Sequence, residues 1–200
     1  AKTGELGGIY KDAVERLDIY DGLDLLETVR PYARSDLGRR VRLVYSGAEY
    51  RGRARTTNWD GSLTLDGNRI VRADVINNWN LDRGIQKQNA TSLTWKAVTT
   101  GNYGAIDLWL EGSGGRLAFQ TAPVAGEVAI AELGVGPVAF NAGGLERAVL
   151  LQRLPETMRE RRMALRRKVK LRTQGDTRLY VRVQQEDGHR MWSSPIYLFR

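Results

Sequence analysis

The 200 residues predict an all-β fold: a two-sheet antiparallel β-sandwich with about a dozen short strands and little helix. Three observations predict it. Apolar and polar residues alternate with period two in short runs. Turns, many built on the 22 glycines, separate those runs every dozen residues or so. The one segment rich in helix formers, residues 158–172, fails to place its apolar residues on a single 3.6-residue face.

In chain order, Val14, Arg16, Asp18 and Tyr20 alternate with Glu15, Leu17 and Ile19, and Asp21-Gly22 supplies a turn into residues 25–30, which stop at Pro31. These two strands read as a hairpin. Val41, Leu43 and Tyr45 alternate with Arg42, Val44 and Ser46 in the next strand. Residues 53–59 lead into Asp60-Gly61, a hairpin dipeptide, and residues 62–65 return before Asp66-Gly67 turns the chain into 69–76. The polar stretch 77–89 reads as a loop. Residues 92–98 and 105–110 read as a pair around Gly101-Asn102-Tyr103-Gly104, followed by strands at 116–121, 127–130 and 145–154.

Beyond Pro155 a short helical turn gives way, from Met163, to a strand reading. Met163, Leu165, Val169 and Leu171 share one parity, and Arg162, Ala164, Arg166, Lys168, Lys170 and Arg172 hold the other. Residues 173–177 then connect to Leu179, Val181 and Val183, which alternate with Tyr180, Arg182 and Gln184, and residues 194–199 close the chain. With no shift in composition along the way, residues 1–200 read as one sandwich domain, residues 1–12 being a leader. A start at Ala1 and an end just after an apolar Ile-Tyr-Leu-Phe run suggest the C-terminal fragment of a longer polypeptide.

Composition narrows the chemistry. Without cysteine there is no disulfide framework, Cys-based zinc site, iron–sulfur cluster or thiol nucleophile. With His189 as the sole histidine, a multi-histidine metal site or a conventional Ser-His-Asp triad is hard to assemble. No run approaches the roughly 18 apolar residues of a membrane span, so no membrane partner is expected. The excess of 31 Lys+Arg over 23 Asp+Glu gives +8 and raises an anionic partner. Residues 159–172 hold eight Lys/Arg and one acid, Glu160, so they carry almost the whole excess.

Each candidate site has a plain alternative. Arg162, Arg166, Lys168, Lys170 and Arg172 offer a docking face for another domain or subunit, or simply a solvated edge strand. The stretch holds no aromatic residue for base stacking, which leaves nucleic acid the weaker reading. Glu186, Asp187 and His189 form a polar site, or the corner of a hairpin turned at Asp187-Gly188. Asp18, Asp21 and Asp24 have neither EF-hand spacing nor need of a calcium ion, because Asp is a favoured turn residue. Gly112-Ser113-Gly114-Gly115 lies between strands and lacks the helix N-terminus of a phosphate loop. Trp95 and Trp109 fall in strand patterns and read as core. Trp79, among Asn77, Asn78 and Asn80, offers a ligand platform of the kind a carbohydrate-binding module uses.

Two blocks carry a resemblance. The run from Leu179-Tyr180-Val181 through Asp187-Gly188-His189 to Trp192-Ser193-Ser194-Pro195-Ile196-Tyr197 resembles the closing hairpin of proteins related to PHP-type metal-dependent hydrolases. Val98-Thr99-Thr100-Gly101-Asn102-Tyr103-Gly104 with Asp107-Leu108-Trp109-Leu110 is similar to that family too, as is 14–32 with its Asp21-Gly22-Leu23 turn. The resemblance implies a β-rich domain that follows an N-terminal catalytic domain in the same polypeptide. The family's metal ligands sit in that catalytic domain, in motifs such as His-x-His, and no such motif occurs here. The expectation is therefore a non-catalytic accessory domain without its own cofactor, packed on the catalytic domain or joining copies into a homo-oligomer.

Overall fold

A computed structural model describes residues 12–52 and 55–199. The expected leader at 1–12 lies outside the described residues except for Asp12, as do Arg53 and Ala54 of the run expected before Asp60-Gly61. The fold is all-β, built from antiparallel sheets. Its strands are β1 (Val14–Asp21), β2 (Asp24–Val29), β3 (Arg40–Ala48), β4 (Thr57–Asn58), β5 (Gly61–Asp66), β6 (Ile70–Ile76), β7 (Gly84–Gln88), β8 (Ser92–Lys96) and β9 (Val98–Thr99). There follow β10 (Tyr103–Leu110), β11 (Arg116–Thr121), β12 (Ala125–Ala129), β13 (Val138–Asn141), β14 (Leu145–Leu154), β15 (Thr177–Gln185), β16 (Arg190–Trp192) and β17 (Ile196–Leu198). Among the described residues helix is confined to two single 3-10 turns, Arg34–Asp36 and Ile130–Glu132.

These strands gather into two compact units, where composition suggested one domain. The larger is Ala33–Glu156; the smaller combines the chain up to Tyr32 with the chain from Thr157 onward. A unit assembled from both ends of the chain leaves no single point at which composition can shift.

The larger unit is the sandwich. One sheet has the order β13-β14-β3-β10-β6 and the other β12-β11-β5-β8-β7. Val41, Leu43 and Tyr45 of β3, Ile106 and Leu108 of β10, and Val149 and Leu151 of β14 share one face of the first sheet. They meet Leu63 and Leu65 of β5, Leu93 and Trp95 of β8, and Leu117 and Phe119 of β11 in one core. Phe119 closes edge-on against Phe140 at 5.0 Å. The same burial pushes the Tyr45 hydroxyl up to about 12.

Four local expectations give way here. Asp60-Gly61 does not turn a hairpin: β4 pairs with β9, and β5 pairs with β8 and β11. The Asp60 carboxylate instead accepts the Ala97 N–H at 3.0 Å, fixing a corner. Asp66-Gly67 likewise carries the chain from one sheet to the other, since β6 pairs with β10. The strands around residues 101–104 belong to different sheets, and β7 occupies the second half of the stretch read as a loop. Dipeptide chemistry marks a turn; which strand lies opposite is decided by the core.

The smaller unit is a single sheet of order β16-β15-β1-β2, with β17 also on β15. The expected β1–β2 hairpin forms, Gly22 supplying the left-handed residue at φ 64°. So does the hairpin between β15 and β16. Leu17 sits opposite Val183 and Val29, and Ile19 opposite Val181, so one face of this sheet is apolar.

Candidate functional site

The apolar face of the smaller sheet is covered by residues 158–172, and here the sequence reading needs correcting. Among the described residues that segment joins no strand ladder and no helix. It is an irregular strap tied to β1 at its first residue and at its last. The Glu160 carbonyl accepts the Val14 N–H at 2.7 Å. Met163 then lies over Val14, Leu17, Val181, Val183 and Met191, lining a cavity of about 90 Å³. Arg167 grips Glu27 of β2 with two bonds of 2.9 Å, and Glu27 stands opposite Ile19. At the far end the Arg172 guanidinium binds the carboxylates of Asp21 and Asp24, the latter at 2.6 Å, while its backbone N–H donates to Thr177 Oγ1 at 2.8 Å.

The period-two pattern is real and its meaning differs from a strand. Met163, Leu165, Val169 and Leu171 are half-buried, and Arg162, Arg166, Lys168 and Lys170 are exposed. Alternating exposure gives the segment two unlike sides, and that does not require a hydrogen-bonded neighbour. The strap supplies the second layer that the sheet needs while keeping a row of cations outward.

Of the expected docking residues, Arg162, Lys168 and Lys170 form no ion pair among the described residues, and Arg159 and Arg161 before them are exposed. Arg172 does not belong to it, because Asp21 and Asp24 hold it against the β1–β2 turn. Arg172 bonds, the Arg178 backbone N–H and their positive charge hold the Asp21 carboxyl below the usual carboxylate range; Arg167 does the same for Glu27.

The sequence reading missed Arg167, Glu27 and Met163 as the pieces that fasten the strap. A signal existed for Arg167. It is the one charged residue on the apolar parity between Met163 and Leu171, so the alternation aims it at the sheet.

The opposite face of the same sheet is a network of charges. Asp18 receives Arg182 at 2.8 Å, Thr28 Oγ1 at 2.7 Å and Arg16 at 3.2 Å. Arg16 also donates to Glu15 at 2.6 Å and to Gln184 at 2.8 Å. Burial raises the Asp18 carboxyl, but Arg16, Arg182 and Thr28 together outweigh it and hold it below its ordinary range. Beside it Tyr20 stacks on Tyr180 at 5.0 Å with the Arg182 guanidinium over the Tyr20 ring. Asp18, Asp21 and Asp24, considered as a calcium loop, are thus all engaged by arginines.

The larger unit has its own ionic centre on the non-core face of β3 and β10. Asp107 receives Arg42 at 2.6 and 2.8 Å and two bonds from Arg40, all three side chains being buried. Burial opposes the Asp107 charge, and the two guanidiniums still hold its carboxyl low. Trp109, expected in the core, is half-buried on this face between Arg40 at 4.7 Å and Arg72 at 4.0 Å. Trp95 is core as expected.

The polar group at the β15–β16 turn is a turn corner. Asp187 Oδ2 lies 2.6 Å from His189 Nδ1, and Asp187 Oδ1 accepts the His189 N–H at 3.0 Å around Gly188, whose φ is 97°. Burial opposes ionisation of Asp187, and these contacts with His189 outweigh it to keep the carboxyl low. The third expected member, Glu186, donates its backbone N–H to the Ala13 carbonyl. Among the described residues no three His, Cys, Asp or Glu side chains gather as a metal site would need, and no helix is long and apolar enough to cross a membrane.

Trp79 sits on the loop before β7, 76% exposed. Compared with known protein families, with curated proteins and with solved structures, the chain matches none.

Proposed function

We propose that this chain is a non-catalytic accessory β module that docks through the basic row of the strap onto an acidic surface. The observation that carries the reading is the two-sided strap. One parity is fixed to the sheet by Met163 and Arg167, and the other presents Arg162, Lys168 and Lys170 with no internal counter-ion among the described residues. Nothing in the fold of the unit requires those three charges. Unpaired charges of one sign in a row favour association with a surface of the opposite sign and set its orientation.

The resemblance to PHP-related proteins supplies the partner: the catalytic domain of a metal-dependent hydrolase in the same polypeptide, the domain in which that family carries its metal ligands. Two of the resembling blocks, 14–32 and 179–197, supply the strands of one sheet, the sheet that the strap covers.

The test mixes this chain with that catalytic domain and follows association by calorimetry at 50 and 300 mM salt. A salt-weakened complex is expected, with affinity lowered at least about tenfold in the triple variant Arg162→Glu, Lys168→Glu, Lys170→Glu. Phosphoesterase turnover by this chain alone with zinc or manganese, or association indifferent to the triple variant, would overturn the reading.

A further inference from the structure

Every sulfur atom of this chain belongs to the smaller unit. The chain has no cysteine, and its three methionines are Met158, Met163 and Met191, none of them within Ala33–Glu156. Met163 of the strap and Met191 of β16 line the same cavity of about 90 Å³ with Val14, Leu17, Val181 and Val183. Both are half-buried, and the exposed Trp192 is part of the same lining, whereas Met158 is buried. The two thioethers are therefore within reach of a small solute from which Met158 is shielded. One water needs roughly 10–15 Å³ of cavity, so there is room for hydrogen peroxide beside either side chain. The space is smaller than the roughly 150 Å³ that holds a benzene, and a small oxidant is the guest that suits it.

We propose that Met163 is a site of oxidation by peroxide and that its sulfoxide frees the strap from the sheet. Met163 stands between two anchors, the Glu160 carbonyl on Val14 and Arg167 on Glu27. In the step, a sulfur lone pair forms a bond to one peroxide oxygen and the O–O bond breaks. The proton on the transferred oxygen passes to the departing one, which leaves as water; sulfur gives up two electrons and peroxide takes them. The apolar thioether becomes a polar group with a strong acceptor oxygen. Val14, Leu17, Val181 and Val183 have no side-chain donor for it, so the docked position loses hydration that the released position keeps.

Met191 undergoes the same chemistry with a different outcome. Its strand is paired with β15, Met191 opposite Val183, so a sulfoxide there leaves the strap's own side chain in place. Arg172 stays bound to Asp21 and Asp24 in either case. The strap then opens around Met163 and remains tethered at its far end. A thiol-dependent methionine sulfoxide reductase closes it again, the thiols becoming a disulfide and the oxygen leaving as water. The site does not use the outward cations, so it stands apart from the docking reading, and the charge-reversal variant described above keeps all three methionines.

The test treats the whole chain with hydrogen peroxide, locates sulfoxide by peptide mass mapping, and times tryptic cleavage at Arg161, Arg162 and Arg166. Met163 and Met191 are expected to oxidise ahead of Met158. Cleavage at the three arginines should speed up at least about fivefold, while cleavage within the larger unit keeps its starting rate. Methionine sulfoxide reductase with dithiothreitol should restore the slow rate. Met163→Leu, close to Met in volume, should stay slowly cleaved after peroxide, and Met191→Leu should still respond. Met163→Gln, which places a polar group at the same point, should be cleaved fast with no oxidant added. Oxidation of Met158 ahead of Met163, cleavage unchanged once Met163 is oxidised, acceleration that persists in Met163→Leu, or slow cleavage of Met163→Gln overturns the proposal.

Discussion

Leu43 and Met163 do the same work in two different settings. Leu43, on the central strand of the larger unit, faces a second sheet and is completely buried. Met163, on the strap of the smaller unit, covers a sheet that has no second sheet over it, and stays half-buried above a cavity. A second sheet seals an apolar face because its own backbone is satisfied by its ladders. A strap offers alternate side chains and almost no backbone bonds, so it seals less and needs ionic anchors at Glu27 and Asp21. In exchange Arg162, Lys168 and Lys170 of its outer parity make no ion pair among the described residues.

This contrast can be broken from either side. The largest effect is expected at Asp107→Ala in the larger unit. It strands two buried guanidiniums, and urea unfolding should show a loss of about 3–5 kcal/mol. Next, Leu43→Ala should cost about 2–5 kcal/mol by the same measurement, because a closed core cannot relax around the missing methyls.

Acid should then act on both units. The folded-state carboxyls of Asp18 and Asp107 lie below their ordinary value of 3.8. Stability from these pairs is therefore fully present above that value and is lost as pH falls through the lower folded one. Urea midpoints should stay level from pH 7 to about pH 5 and drop below about pH 4; Asp18→Asn should flatten part of that drop. Met163→Ala is expected to have the smallest effect, about 1 kcal/mol, because the side chain is only partly withdrawn from water. Trp192, the one tryptophan of the smaller unit and a neighbour of the same cavity, reports it by fluorescence.

The all-β class and most strand positions were legible because period-two alternation survives wherever one face of a strand is buried. Pairing was not. Asp60-Gly61 and Asp66-Gly67 have the composition of hairpin turns, yet both lie where the chain moves between partners far apart in sequence, and no local pattern encodes that. The two units were hidden for the same reason: β1 and β15 are adjacent although more than 150 residues separate them.

The candidate sites divide along similar lines. Exposure of Trp79 was readable from its asparagine-rich surroundings. The basic row was readable as parity, but its backbone state was not, since a strap and an edge strand alternate alike. Arg172 fell on the outward parity by number and turns inward because Asp21 and Asp24 wait at the end of β1. The ion clusters around Asp107 and Asp18 join strands whose pairing sequence cannot supply, so no spacing rule could have found them.

The strap itself is open to one direct measurement, helped by the absence of any cysteine in the chain. Single cysteines placed in turn from 162 to 171 can be timed for reaction with a soluble thiol reagent. A two-sided strap predicts rates that alternate with period two, fast at 162, 164, 166, 168 and 170 and slow at 163, 165, 169 and 171. Uniformly fast rates, or slow sites spaced at three and four residues, would contradict a strap docked on the sheet by one parity.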